Sequence, residues 1–174
     1  MRFVDLDDRV LDCFPQSLVR EVWAVHGEEA WRSAELAALQ KALSGDDQIL
    51  ALGGGVPMIE AARRLIEAEQ RADRVRVIYL ECNVPELIRR LRDGPGDRPS
   101  LTGRDMAEEV AVVLRRREPT YRALADARCD ASGSDRQVVV DAVVEAMGLT
   151  RPGRQGEADP GESDGDAETD AGGR

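Results

Sequence analysis

The order of apolar and polar positions along the chain predicts strands that alternate with helices. Short apolar runs bounded by polar residues or glycines predict strands at residues 2–7, 49–52, 75–80 and 129–131. Apolar residues that recur every three or four positions predict helices at residues 18–26, 28–43, 57–68, 83–92, 104–122 and 137–147. Strands that alternate with helices are typical of an α/β fold with a mainly parallel sheet.

Local signals mark the ends of several predicted helices. Gly27 separates the first two helices, because glycine is favoured just past a helix C-terminus. Asn83 is followed three residues later by Glu86, which is the capping-box pattern of a helix start. Pro119 lies inside the helical pattern of residues 104–122, so we expect it to kink or end that helix.

Composition limits the organisation and the class of protein. The 174 residues suit one domain, which we expect at residues 1–150, followed by a disordered acidic tail at residues 151–174. A net charge of −10 gives no electrostatic reason to expect a nucleic-acid partner. No apolar run approaches the roughly 18 residues of a membrane span, and three scattered cysteines fit a reduced, cytoplasmic protein.

Two carboxylates end the first predicted strand. Asp5 and Asp7 are two positions apart, and alternate residues of a strand point to the same face. Open α/β sheets bind ligands at the C-terminal ends of their strands. Two acids at that edge can hold a magnesium ion through water and accept a proton from a hydroxyl group. A solvated strand end explains the spacing equally well.

Arg32 and Glu35 form a second candidate pair. They are three positions apart within a predicted helix and therefore share one of its faces. A guanidinium group held in this way can bind a carboxylate through two parallel hydrogen bonds. An ordinary surface ion pair is the simpler alternative.

A run of three glycines, Gly53, Gly54 and Gly55, directly follows a predicted buried strand. Glycines at this position expose backbone N–H groups next to a helix start and let a ligand approach closely. The alternative is a plain turn between a strand and a helix. Three successive glycines favour a functional interpretation.

Two further arginines lie in segments of different character. Arg98 lies in the glycine- and proline-rich residues 94–99, which we expect to form a mobile loop. An arginine on a closing loop can stabilise a transferring phosphoryl group, although a solvated loop arginine is the simpler alternative. Arg117 follows Val113 by four positions, on or near the buried helix face, and a buried arginine requires a protein carboxylate or an anionic ligand.

Six segments of the chain, taken together in their order and spacing, resemble the shikimate kinase family from its second strand onward. The resemblance spans residues 2–147 and is carried by the segments FVDLD, GEEAWRSAE, ILALGGG, VIYL, DRPSL and RREPTYRALAD. It implies a P-loop nucleoside-kinase-like fold of three α/β/α layers with a mainly parallel sheet. It also implies transfer of the γ-phosphoryl group of ATP to the 3-hydroxyl of shikimate, in chorismate and aromatic amino-acid biosynthesis.

The resemblance implies roles for the charged residues of the substrate site. Asp7 resembles the acid that contacts the shikimate hydroxyls and helps to activate the acceptor, and Asp5 resembles the acid near Mg²⁺. Arg32 and Arg117 resemble the pair that holds the shikimate carboxylate. Glu35 resembles the acid that orients this arrangement.

The remaining implied roles concern the backbone and the nucleotide. Gly54, with its neighbours Gly53 and Gly55, resembles the backbone that lines the substrate. Arg98 resembles the lid arginine that reaches the ATP phosphates, in a lid that reads RPSL here and RPLL in the family. Arg90 resembles a further nucleotide-side arginine, with a slightly different spacing to Arg98.

The sequence contains no phosphate loop of the form GxxxxGK[ST], and its single lysine, Lys41, lies in a predicted helix. In the family the strand before that loop lies at the centre of the sheet. We therefore expect an interrupted sheet here, in which each unsatisfied buried backbone group costs roughly 1–3 kcal/mol. Three explanations for the missing loop are open: a misassigned or truncated start, a partner polypeptide that supplies the strand, or a paralogue that binds without phosphorylating. We accordingly expect the protein to be a monomer or to bind a partner that supplies the missing strand.

Two alternatives to an active shikimate kinase stay open. One is a catalytically inactive shikimate-binding or regulatory paralogue, which the missing phosphate loop favours. The other is a different P-loop small-molecule kinase, of the gluconate-kinase kind. Arg32 and Arg117 beside three glycines favour an anionic cyclic acid over this last substrate class.

Overall fold

Four short parallel strands form two separate pairs in this computed structural model, which describes residues 2–45, 47–94, 105–133 and 135–149. β1 (Arg2–Asp5) pairs with β2 (Gln48–Ala51), and β3 (Ile78–Glu81) pairs with β4 (Ala127–Asp130). No strand within the described ranges joins the two pairs. The predicted α/β fold with parallel strands is confirmed, and the sheet is interrupted as expected.

Helices connect the strands within each pair and link one pair to the other. A short 3₁₀ turn at Val56–Met58 follows β2. The α-helices of the described residues are α1 (Leu6–Leu11), α2 (Val19–Leu43), α3 (Glu60–Arg71), α4 (Val84–Asp93), α5 (Met106–Leu124) and α6 (Arg136–Ala146).

The first strand is shorter than the sequence pattern predicts. β1 ends at Asp5, and Asp7 lies in the first turn of α1, so the expectation that both acids are strand residues is wrong. Asp5 caps this helix, because its Oδ1 accepts a hydrogen bond of 2.9 Å from the backbone N–H of Asp7. Leu6 and Val10 are fully buried, and their spacing of four positions is the helical signal.

Gly27 and Pro119 affect their helices differently. Gly27 has φ 81° and ψ 170°, a conformation that favours glycine, and it breaks the helical geometry within α2 where the sequence predicts a boundary. α5 in contrast continues through Pro119 to Leu124, so of the two expected effects, a kink or a helix end, the helix end does not occur. Leu124 is buried, and its packing stabilises the turn that follows the proline.

The core lies between α1, α2, α3 and the 3₁₀ turn. Trp31 is 3% exposed and is the bulkiest of the buried side chains. Aliphatic residues fill the rest of the core, in agreement with the aromatic content of only 3% in the sequence. The most deeply buried among them are Leu6, Val10, Val22, Leu39, Val56, Ala62 and Ile66.

Asn83 gives a test of how local sequence fixes α4. Its Oδ1 accepts a hydrogen bond of 3.0 Å from the backbone N–H of Glu86. We expect Asn83→Ala to lower the free energy of unfolding by about 1 kcal/mol, measured by urea denaturation, because this helix N–H loses its acceptor. Asn83→Ser keeps a capping oxygen and is expected to stay close to wild type. Equal losses in the two variants would show that the cap does not stabilise α4.

Candidate active site

Asp7 and the glycine segment meet where β1 and β2 end. The carboxyl ends of parallel strands lie at the same edge of a sheet, so α1 and residues 53–55 start side by side. An ideal Cβ at Gly53 would lie 2.8 Å from Oδ1 of Asp7. The carboxylate of Asp7 therefore lies directly against the backbone of Gly53, with no room for a side chain between them.

Arg32 lies against the third glycine. It projects from α2, and a Cβ built at Gly55 would overlap its Nη1 atom. Gly55 has φ −83°, which any residue can adopt, so space and not backbone conformation requires glycine here. The guanidinium group of Arg32 thus packs on the backbone of Gly55.

Two side chains of α5 reach the middle glycine. The Oη atom of Tyr121 donates a hydrogen bond of 2.6 Å to the carbonyl oxygen of Gly54. A Cβ at Gly54 would lie 3.7 Å from Nη1 of Arg117. Since Arg117 and Tyr121 are four positions apart, they share one helix face and approach Gly54 together.

These contacts bring together side chains from three parts of the chain. Asp7, Arg32 and Arg117 each contact one residue of a three-glycine segment whose outer Cα atoms are at most about 7.6 Å apart. The resemblance to the shikimate kinase family implied this shared neighbourhood. The structure therefore places two guanidinium groups and a carboxylate around one short stretch of backbone that carries no side chains.

Arg32 is oriented by two carboxylates. Its Nη1 donates to Oε2 of Glu35 at 2.7 Å, and its Nε and Nη2 donate to Oε1 of Glu28 at 3.1 and 3.0 Å. Its Cζ atom lies 5.5 Å from the centroid of the Trp23 ring. Burial alone would lower the pKa of Arg32, but Glu35 and Glu28 outweigh it and raise that pKa. The guanidinium therefore stays charged and fixed in direction.

Glu35 is the buried charged residue of the described core and is only 2% exposed. Burial raises the pKa of its carboxyl group, the hydrogen bond and charge of Arg32 lower it, and burial is the larger effect. The negative charge of Asp7 raises the pKa of Glu35 as well. Asp7 therefore lies within electrostatic reach of the pair formed by Arg32 and Glu35.

Arg117 differs from Arg32 in its partners. It is partly buried, and it forms no ion pair with any residue of the described ranges. A partly buried cation without a protein carboxylate is stabilised by an anionic ligand. Of the two arginines, Arg117 is thus the one whose charge the described protein leaves uncompensated.

Of the two predicted nucleotide-side arginines, Arg90 is described and is not part of this cluster. Arg90 donates to the carbonyl oxygens of Ala131 and Gly133 at 2.6 and 3.3 Å, and its Nε lies 2.7 Å from Oε1 of Glu86. These contacts connect α4 to the segment after β4. Arg98 lies outside the described residues.

Asp5 was predicted as a metal ligand. One of its carboxylate oxygens already accepts the N–H of Asp7. Among the described residues, no group of three or more His, Cys, Asp or Glu side chains could hold a metal ion. Mg²⁺ commonly binds through one or two carboxylates, waters and substrate phosphates, so a single carboxylate is compatible with Mg²⁺ but does not form a site alone.

Two contributors to the site were not predicted from the sequence. The contact of Trp23 with Arg32 depends on how α2 continues past Gly27, which local spacing does not predict. Tyr121 lies within the segment RREPTYRALAD, in which no role was predicted for it. Its spacing of four positions from Arg117 on a helix is the signal that could have identified it.

Comparison with known proteins identifies the family. The family model described as shikimate kinase matches residues 1–148. The chain belongs to the shikimate kinase family. Shikimate kinase 2 of Pectobacterium carotovorum is 40% identical over 134 residues, which cover 76% of this chain and 73% of the relative. Shikimate kinase of Rhodopirellula baltica is 34% identical over 162 residues, with 90% and 80% covered.

Solved structures agree with this family. Shikimate kinase from Bacteroides thetaiotaomicron matches with a TM-score of 0.72 and 25% identity, covering 86% of this chain and 85% of that chain. Shikimate kinase from Acinetobacter baumannii in complex with shikimate matches with a TM-score of 0.71 and 23% identity, covering 84% and 79%. The described part of the present chain contains no helix that is both long and apolar enough to cross a bilayer.

The raised pKa of Glu35 predicts a pH dependence of stability. A folded-state pKa above the unfolded value means that the folded state binds the proton more tightly. The contribution of Glu35 to the free energy of unfolding should therefore fall as the pH rises from about 4.3, the ordinary glutamate value, through the raised pKa, and be constant above it. Glu35→Gln removes this component.

Urea denaturation of wild type and Glu35→Gln between pH 4 and pH 8 measures the effect. The unfolding free energy of wild type minus that of Glu35→Gln is expected to decrease across the window. A difference that rises with pH would show that the ion pair with Arg32 outweighs the burial of Glu35.

Proposed function

We propose that the residues around the glycine segment 53–55 form the shikimate site of an ATP-dependent shikimate kinase, the enzyme of this family. The single observation that supports this proposal most is the arrangement at the glycine segment. Arg32 and Arg117 lie at neighbouring glycines, and Asp7 lies at the first one. This combination offers cations for a carboxylate and an acid for a hydroxyl group within the span of a small ring.

The two arginines are proposed to bind the carboxylate of shikimate. Arg32 is already charged and held by Glu35 and Glu28, so little orientational freedom is lost when it binds. Arg117 has no ion pair within the described ranges, and a ligand carboxylate would compensate its charge. Glu35 keeps Arg32 in place from the buried side, which is the orienting role that the family resemblance suggests.

Asp7 is proposed to bind the shikimate hydroxyl groups and to accept the proton of the attacking one. A carboxylate is a hydrogen-bond acceptor for hydroxyl groups, and a general base must lie within hydrogen-bonding reach of the proton that it removes. Asp7 lies against Gly53, at the opposite end of the segment from Arg32. A ring whose carboxylate lies at the arginines would therefore extend its hydroxyl groups toward Asp7.

The nucleotide side of the site is proposed from the family. The family uses ATP, and Mg²⁺ would neutralise charge on its phosphates when bound. Asp5 is proposed to reach that ion through water, Arg98 to contact the transferring phosphoryl group, and Arg90 to lie on the nucleotide side. Residues 1–150 are proposed as one catalytic domain, residues 151–174 as a tail, and the cytoplasm as the location.

Binding of shikimate to wild type and to arginine variants tests the proposal. Isothermal titration calorimetry is expected to detect binding to wild type, with a Kd raised about 10- to 100-fold in Arg117→Ala, because a charged hydrogen bond contributes about 1.5–3 kcal/mol. Arg32→Lys keeps the charge but loses the two-pronged geometry and is expected to weaken binding as well.

Arg116→Ala is the matched control, because Arg116 is an exposed neighbour on the same helix. Its Kd is expected to remain within about twofold of wild type. Absence of shikimate binding to wild type, or equal affinity of Arg117→Ala and wild type, would refute the proposed site.

The close contact between Gly55 and Arg32 gives a second test. A methyl group at residue 55 would overlap Nη1 of Arg32. Gly55→Ala should therefore displace the guanidinium and raise the Kd for shikimate about tenfold or more. Gly133→Ala is the control, since a Cβ there has no neighbour within 4 Å. Unchanged affinity in Gly55→Ala would mean that the position of Arg32 does not matter for binding.

A further inference from the structure

We infer that Tyr121 is a positioning residue that fixes the direction of the peptide between Gly54 and Gly55 in the substrate site. This inference rests on the proposed shikimate-binding function and extends it to a residue without an assigned role. Tyr121 donates from Oη to the carbonyl oxygen of Gly54 at 2.6 Å, across 67 positions of sequence. The contact connects the C-terminal half of α5 to the segment after β2.

The peptide plane links this carbonyl to a backbone donor. In a trans peptide the carbonyl of Gly54 and the N–H of Gly55 point in opposite directions. No cis peptide occurs in the described chain. By holding the carbonyl on the α5 side, Tyr121 therefore aims the N–H of Gly55 away from α5.

Neither Gly54 nor Gly55 donates its backbone N–H to any described residue. Gly55 is buried, and a buried N–H without a partner is costly. A bound ligand oxygen would satisfy it. The unpaired N–H of Gly55 is thus a donor for which the ligand supplies the acceptor.

The three glycine carbonyls are held in different ways. Those of Gly53 and Gly55 accept backbone N–H groups of the following turn, from Val56 at 3.1 Å and from Met58 at 2.9 Å. The carbonyl of Gly54 is held by the Tyr121 side chain. Glycine backbones have more conformational freedom than any other, so the middle peptide depends on this hydroxyl group for its direction.

Tyr121 is itself held by its ring. The ring centroid lies 5.4 Å from that of Tyr79 on β3, with a tilt of 52° between the planes. Tyr121 also follows Arg117 by one helical turn, so the bond to Gly54 sets how closely that turn of α5 approaches the glycines. One hydroxyl group therefore orients a backbone donor and helps to place the proposed carboxylate ligand Arg117.

Tyr121→Phe isolates the contribution of the hydroxyl group, because it keeps the ring and its contact with Tyr79. Shikimate affinity is measured by calorimetry at a temperature at which thermal melting shows both proteins folded. We expect the Kd to rise about fivefold to tenfold, as for the loss of one hydrogen bond. Tyr79→Phe, which retains the same ring packing, is the control and is expected to bind within twofold of wild type.

Amide hydrogen exchange by NMR gives a readout that a merely structural role would not change. In ligand-free Tyr121→Phe, the amide of Gly55 is expected to shift and exchange faster, while that of Gly133 stays as in wild type. Lower thermal stability with an unchanged Kd and an unchanged Gly55 amide would overturn the inference and leave the proposed function intact. A wild-type protein that does not bind shikimate would overturn both.

Discussion

The absence of side chains at residues 53–55 is the constraint on which the site depends. Asp7, Arg32 and the α5 side chains approach this backbone so closely that a methyl group at any of the three glycines meets a polar atom of another element. Each approach comes from a different helix, and none of them would reach the same point over a larger residue. The glycines therefore determine how closely the charged groups approach one another, and this spacing limits the size of a ligand that could lie between them.

Burial of Glu35 adds an electrostatic constraint to this steric one. A buried carboxylate has an unfavourable desolvation energy, and the ion pair with Arg32 offsets part of it. Arg32 in turn is fixed by carboxylates on two sides and by the Trp23 ring, so it meets a ligand as an oriented cation. Arg117 lacks such partners in the described chain and gains the most from a bound anion. The two arginines thus combine one preorganised and one uncompensated charge.

Sequence patterns predicted most of the elements because these depend on spacing within short segments, and the resemblance to the family indicated the candidate site residues. Glycine after a strand, an Arg and a Glu three apart, and Arg117 near the buried face all follow from local periodicity. Helix α1 was missed because Leu6 and Val10 are too few to distinguish a six-residue helix from a strand end. The bond from Tyr121 to Gly54 depends on a tertiary contact between distant segments, which no local pattern contains.

Because the sheet is interrupted, side-chain contacts between the two strand pairs contribute more to holding the fold together than they would in a continuous sheet. Within the described ranges, β2 and β3 share no ladder of backbone hydrogen bonds. Side chains connect their surroundings instead: Tyr121 contacts both Gly54 and Tyr79, and Gln70 of α3 donates to the carbonyl of Leu124 at 2.9 Å. Because the same tyrosine connects the two strand pairs and directs the middle glycine peptide, strand-pair docking and site geometry are coupled.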